Sequence, residues 1–333
     1  MASRTLPILI SIGLITLFGT ESEAADTKYA GEFLSLGVGA RSLGMGSAFV
    51  AIVDDASAGY WNPAGLPALK RREVMLMHSE RFGGVVKYDV AGLVLPLQEN
   101  GGFEISLIRV GVDDIKYTVL ADPQKALSAS NRPQVSKIVG NADYALYLSY
   151  GRYLRFGPFG RPHVHREASM PSRLSLGGSI KLIRRSIGDN TATGFGADLG
   201  VLYTTPWGLT IGANLRDVTL TTISWDTGAK DQVGISLEVG AAWTRSIAPL
   251  RSKVVASVAS GRLGEAAEDD HRSLTAGLEY WYRDVVALRV GSERERLTAG
   301  AGFRLYDTVG IDYAFLQHED LDNTHRVSAS VRF

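Results

Sequence analysis

The sequence predicts an all-β fold: a transmembrane antiparallel β-barrel of about 14 strands, with an N-terminal helical and glycine-rich segment lodged in its lumen. Three observations predict it. Period-two alternation of apolar and polar residues runs from Glu73 to the C-terminus. The polar face of that alternation is mostly glycine and serine with sparse charges, while the other face is Leu, Val, Ile, Ala, Phe, Tyr and Trp. A glycine-rich block over 31–72 that does not alternate precedes the first strand.

Bulk properties narrow the function classes. The 333 residues suit a single barrel, and 35 basic against 35 acidic residues leave no basic field for nucleic acid. There is no cysteine, which excludes thiol catalysis, disulfides and thiolate-held metals. Arg4, the apolar run Leu6 to Phe18, and Ser22-Glu23-Ala24 read as a secretory signal peptide over 1–24, cut after Ala24. That run is too short for a spanning helix, and no later segment approaches the roughly 20 apolar residues one needs. The expected organisation is therefore a signal peptide over 1–24, a luminal segment over 25–72 and a barrel over 73–333.

The strands follow from side-chain direction, since successive residues of a strand point to opposite faces. Fourteen segments alternate: 73–81, 84–97, 102–111, 141–154, 172–186, 194–204, 207–216, 232–245, 251–261, 271–282, 285–292, 295–306, 308–317 and 323–333. Phe195, Ala197, Leu199, Val201 and Tyr203 oppose Gly196, Asp198, Gly200 and Thr204. In the last segment His325, Val327, Ala329, Val331 and Phe333 oppose Arg326, Ser328, Ser330 and Arg332. The first four segments alternate less cleanly. Connections at 205–206, 282–284 and 306–307 are tight, and those at 112–140, 217–231, 262–270 and 318–322 are longer and more polar, which predicts short turns on one rim and long loops on the other.

Which face is the core decides the class. A soluble β-sandwich would bury the apolar face and charge the wet one. Here the polar face carries Gly177, Ser179, Gly196, Gly200, Gly212, Gly240, Gly277, Gly300, Gly302 and Gly310, with Lys181, Asp198, Glu238, Glu279, Arg304 and Asp312 among its few charges. Small residues and mixed charges suit a crowded hydrated interior, and the aliphatic face suits lipid. Lys181 with Asp198, and Arg304 with Asp312, fall on adjacent strands and are expected to pair, tying the lumen and positioning the hatch. Trp207, Trp243, Tyr280, Tyr282, Tyr306, Tyr313 and Phe315 near strand ends fit interfacial girdles. The terminal aromatic Phe333, on a strand with apolar alternate positions, looks like the signal read by the outer-membrane assembly machinery.

The opening segment is expected to hold a short helix from Met45 to Val53. A second turn of helix through Tyr60 is expected after Asp54 and Asp55, which are N-cap candidates. Asn62 then precedes Pro63 at a first helical position. Gly37, Gly39, Gly44 and Gly46 do not have dinucleotide-loop spacing and do not follow a strand of a βαβ unit. The stretches Gly39-Ala40-Arg41-Ser42-Leu43-Gly44-Met45-Gly46, Asp54-Asp55-Ala56-Ser57-Ala58 and Tyr60-Trp61-Asn62-Pro63-Ala64-Gly65-Leu66, with the tail ending Arg332-Phe333, resemble the PorV/PorQ family, which is similar to the FadL-type outer-membrane transporters. The resemblance implies a 14-stranded barrel in the outer membrane of a Gram-negative-type bacterium, with an N-terminal hatch that contains the Asn-Pro-Ala element. It implies one of two roles. The first is passive binding and transport of small hydrophobic compounds. The alternative is a non-enzymatic scaffold or shuttle subunit of type IX secretion.

Gating falls to Gly44, Gly46, Asp54, Asp55, Asn62, Pro63 and Gly65 on this reading, with outer-membrane lipid, the assembly machinery, and either a hydrophobic small molecule or secretion-system proteins as partners. No catalytic set, metal site, cofactor or nucleic-acid partner is expected. His163-x-His165 lacks a third ligand. Asp269-Asp270-His271 with Glu319-Asp320 reads as solvated acidic loop rather than as a hydrolase site. Ser328 and His325, three apart, lie on opposite strand faces, which removes a hydrolase dyad.

Overall fold

In the computed structural model the described residues are 31–97, 100–154, 172–260, 263–264, 274–317 and 323–333. The strands are Glu73–Arg81 (β1), Val86–Leu97 (β2), Gly101–Leu120 (β3), Pro133–Tyr153 (β4), Arg173–Ile187 (β5), Asn190–Thr204 (β6), Leu209–Arg216 (β7), Thr221–Trp225 (β8), Lys230–Val233 (β9), Ser236–Ile247 (β10), Ser252–Ser260 (β11), Leu263–Gly264 (β12), Leu274–Tyr282 (β13), Val286–Glu293 (β14), Arg296–Leu305 (β15), Val309–Leu316 (β16) and Thr324–Arg332 (β17). All pairings are antiparallel between neighbours, and β1 pairs with both β2 and β17, so the sheet closes. β8, β9 and β12 extend or flank other strands, and 14 strands make the closed wall.

Closure leaves no unpaired edge, which a hydrocarbon environment requires. The expected facing holds. On β5, Leu174, Leu176, Ile180 and Leu182 point out while Ser175, Ser179, Lys181 and Ile183 are turned in and mostly buried. At about 3.3 Å per residue and a tilt of about 40°, that outward run is about 20 Å tall, close to the apolar band of such barrels. Tyr203, Trp207, Trp243, Tyr282, Tyr306 and Phe333 are exposed towards the rim that carries both ends of the barrel, called the lower rim below.

Three expectations of arrangement are corrected. The 112–140 loop is mostly strand: β3 and β4 run on as a two-stranded ribbon to Leu120 and Pro133, past the ends of their neighbours at Val112 and Asn141. The 217–231 loop is a bulge at 217–220 followed by the β8–β9 hairpin. The upper rim is therefore mixed, with tight turns at 82–85, 188–189 and 294–295 beside the ribbon. Alternation detects a half-buried strand, and a ribbon exposed on both faces has no such pattern to detect.

Residues 70–72 lead out to β1 at the lower rim, and residues 31–69 lie inside the wall. They contain a 3₁₀ turn at Glu32–Ser35, a short helix Ala40–Gly44 (α1), a second Ala58–Trp61 (α2) and a 3₁₀ helix Pro63–Ala68. The expected helix over Met45–Val53 is instead a run of turns, because Gly46 and Ser47 both take positive φ, 61° and 59°. Asp54 does not cap α2. Asp55 does the local work: its Oδ1 accepts from the Ser57 amide (3.1 Å) and hydroxyl (2.6 Å) just ahead of the helix. Asn62 and Pro63 stand as expected, with Pro63 in the first turn and Asn62 Oδ1 accepting from the Ala64 amide at 3.1 Å.

Candidate functional site

The luminal segment is held to the wall by three kinds of contact. The first is electrostatic. Arg41 on α1 donates from Nε and Nη2 to both oxygens of Glu279 on β13, each at 2.8 Å. Its Nη1 donates to Asp54 and, at 3.1 Å, to Asp55. Glu279 also takes Arg289 Nε at 2.7 Å, and Arg289 Nη1 lies 2.7 Å from Asp312. A planar guanidinium with five donors in a fixed fork can take Glu279 through two parallel bonds while its remaining edge serves Asp54 and Asp55. Partial burial pushes the Asp54 carboxyl up, its side chain being 46% exposed, but the charges of Arg41 and Lys253 outweigh it and hold that carboxyl below its usual range. Arg326 on β17 adds donors to the carbonyls of Gly37 (3.0 Å) and Leu36 (2.9 Å).

The second contact is Asn62. Its Nδ2 donates to the carbonyls of Val50 (3.0 Å), Val201 (3.1 Å) and Ala213 (3.3 Å), so one buried amide joins two parts of the luminal segment to β6 and β7. The third is close approach of backbones. A side chain at Gly177 would strike Pro63, at Gly200 Asn62, at Gly212 the Val50 carbonyl (2.5 Å), and at Gly277 the Met45 carbonyl. The expected small inward face is thus a seat shaped for this segment. Gly44 approaches Gly300, and Gly46, in the left-handed region at φ 61°, would place a side chain 2.5 Å from the Ser292 carbonyl. Gly65 packs on Val53.

The lumen is divided. Towards β1–β6 and β8 its apolar side chains gather: Met75, Met77, Tyr88, Val90, Ile108, Ala145, Tyr147, Ile183, Ala192 and Ile223 form one buried cluster with Phe33, Leu34, Phe49, Tyr60, Trp61 and Leu66 of the luminal segment, beside buried Glu104 and the Asp143–Arg185 pair. Towards β13–β17 it is charged, through Glu279, Arg289, Arg304, Asp312, Arg326 and Arg332. There, a polar cavity of about 20 Å³ is lined by Arg41, Asp55, Glu73, Arg304, Asp312 and Ser330, room for about one water and no hydrocarbon.

At the boundary the wall itself is irregular. Arg216 at the end of β7 and Asp217 in the 217–220 bulge both turn inward. Asp217 bonds Lys181 and takes the Thr221 hydroxyl at 2.6 Å, while Lys181 Nζ lies 2.8 Å from Asp198. The pairing of Lys181 with Asp198 is as expected. Glu238 is joined by Arg216 at 3.5 Å. The expected Arg304–Asp312 pair does not form: Asp312 goes to Arg289, and Arg304 lies over the Trp281 ring, 4.6 Å from its centroid, and 4.0 Å from Asp307.

Sequence reasoning passed over Arg41, although it is the sole cation between residues 31 and 69 and its segment supplies Asp54 and Asp55. It also passed over Arg289, Asp217 and Glu104, whose Oε2 accepts from the Gly59 amide at 2.7 Å. Nothing local marks these. Of the chemical candidates, His163, His165, Asp269, Asp270, His271, Glu319 and Asp320 lie outside the described residues, as does the 1–24 signal peptide. His325 faces outward and bonds the Tyr313 hydroxyl at 2.7 Å, while Ser328 faces inward to the Ala40 amide at 2.8 Å. No group of three metal-ligating side chains occurs among the described residues.

A closed wall of 14 antiparallel strands, apolar outside and filled by its own N-terminal segment, defines a plugged transmembrane β-barrel. Its fold is shared with the Pseudomonas putida toluene transporter TodX (15% identity, TM-score 0.53, 89% of this chain and 99% of that one), with the Ralstonia pickettii toluene transporter TbuX (13%, 0.53, 89% and 98%) and with the monoaromatic hydrocarbon channel CymD (12%, 0.55, 90% and 98%). These are transporters and channels rather than enzymes. No protein-family profile matches the chain, and no curated protein matches it in sequence. The PorV/PorQ resemblance finds no support in these comparisons; the likeness they give is to hydrocarbon transporters.

Proposed function

We propose that the chain is an outer-membrane barrel that binds small hydrophobic compounds and passes them passively, with residues 31–72 as its hatch. The observation that carries this is the buried apolar cluster lining the inside of β1–β6 and β8. A lumen built only for water and ions is polar throughout. An aliphatic and aromatic strip that meets an equally apolar face of a separable plug suits a solute that leaves water reluctantly. The shared fold with proteins described as toluene transporters and a monoaromatic hydrocarbon channel supports the same reading.

In this reading Gly44, Gly46, Gly65, Asn62 and Pro63 let the hatch sit close to the wall, and Asp54 and Asp55 hold it through Arg41. Phe333, at the lower rim where its amide donates to the Arg72 carbonyl at 3.0 Å, supplies the signal for the assembly machinery. Cells producing the chain should accumulate a labelled monoaromatic hydrocarbon faster than matched cells lacking it, with no gain for a polar solute of similar size. Equal rates in the two strains would overturn the proposal. A second reading, a sealed subunit that holds a protein partner, draws on the exposed apolar side chains of the β3–β4 ribbon, Val119, Leu127, Val135 and Ile138. It predicts a co-purifying protein and no solute accumulation.

A further inference from the structure

The chain is neutral overall, yet its lower rim is not. Arg245 near the end of β10, Arg251 in the following turn and Arg283 in the β13–β14 turn are all exposed, and none has a carboxylate within ion-pair distance among the described residues. Arg251 and Arg283 belong to adjoining turns: the Arg283 amide donates to the Arg251 carbonyl at 2.7 Å. Asp284, next in sequence, is exposed and forms no ion pair with them. The three cations border two outward aromatics, Trp243 and Tyr282, and the Arg283 guanidinium lies 5.2 Å from the Tyr282 ring centroid.

Elsewhere on the rim the same chemistry recurs. Lys70 and Arg173 both lie over the Tyr153 ring, at 5.4 and 5.2 Å, again with no carboxylate partner among the described residues. Partial burial, with a smaller contribution from the Arg173 charge, holds the Lys70 ammonium below its usual pKa. Of the acids at this rim, Glu73 is taken by Arg332, and Asp307 by Arg71 and Arg332.

Cations just beyond an aromatic belt reach the phosphate layer of a bilayer while their stems stay at its apolar boundary. We infer that Arg245, Arg251 and Arg283, with Trp243 and Tyr282, form a site for the phosphate headgroup of an anionic phospholipid in the leaflet at the lower rim. Guanidinium groups suit it, because they bind phosphate oxygens through paired N–H donors. The uncharged apolar tails would lie along the outward faces of β10, β11 and β13, where Val239, Val258 and Leu278 are exposed.

The inference rests on the membrane-spanning reading, and one experiment separates the two. The protein is reconstituted in bilayers containing brominated phosphatidylglycerol or brominated phosphatidylcholine, and quenching of the exposed Trp207 and Trp243 is measured. Near one kilocalorie per basic residue at a membrane surface corresponds to roughly fivefold for each arginine, so the three-arginine site should prefer the anionic lipid by at least that factor, falling as salt is raised. Arg245→Gln, Arg251→Gln and Arg283→Gln together should bring the ratio close to one, while Arg184→Gln on the opposite rim should leave it unchanged. An inserted wild-type protein quenched equally by both lipids, or a preference indifferent to salt, would overturn the inference without any use of the variants. So would a triple variant that keeps its lipid preference but loses a bound acidic protein. Absence of quenching by either lipid would instead sink the membrane-spanning reading.

Discussion

Arg41 concentrates the residue-scale physics. Buried guanidinium and carboxylate groups stabilise little when complete, but removing one partner strands the others and costs about 3 kcal/mol or more. Arg41→Met should therefore loosen residues 31–55 at neutral pH, while the wall, which has its own ladder, stays folded. Acid should do the same to the wild type. The Asp54 carboxyl is held below its usual range, so its ionised form stabilises the docked segment above the unfolded pKa of about 3.9, and that contribution is lost as pH falls through the lower folded value. Protease cleavage within 31–55 should be absent from neutral pH down to about 4 and appear below it, whereas Arg41→Met should be cut at neutral pH. Equal resistance of the two proteins at neutral pH would refute the latch. At this scale the sequence was partly legible. Asp54 and Asp55 are conspicuous as a pair, but their partner Arg41 looks like an ordinary turn cation until Glu279, 238 positions away, comes beside it.

At the scale of elements, the wall and its attachments behave differently. The wall strands alternate because one face is apolar and points outward and the other meets the luminal segment, so each was visible as a period of two. The ribbon beyond Val112 and Asn141 was not, and its register breaks between Val112 and Ile115 and again between Tyr117 and Thr118. An isolated two-stranded hairpin is marginally stable in water. This one is tied to the β5–β6 turn by Lys137 and Asp189. Replacing residues 115–138 by a short Asn-Gly turn should leave barrel assembly and thermal resistance in detergent unchanged. A barrel that failed to assemble without the ribbon would show that it is part of the fold and would weaken its assignment as a partner surface.

Taken as a whole molecule, the chain is a closed cylinder and a plug that share few covalent links and many contacts. Deleting residues 31–69 should leave a barrel that still closes through β1 and β17 but conducts ions in a planar bilayer, because the glycine seat would then line open space. A silent, folded barrel would mean that the lumen seals without its plug. The sequence by itself determined the strand count and the inside-out facing, since side-chain direction and propensity are local properties that alternation records. Only the tertiary structure decided which charges meet, that Asp312 goes to Arg289 and not to Arg304, and that the apolar side chains of the lumen gather on the side of β1–β6 and β8. Those outcomes depend on the closure of β1 onto β17 and on how the plug is threaded, which bring together residues whose separation in the chain carries no signal of their contact.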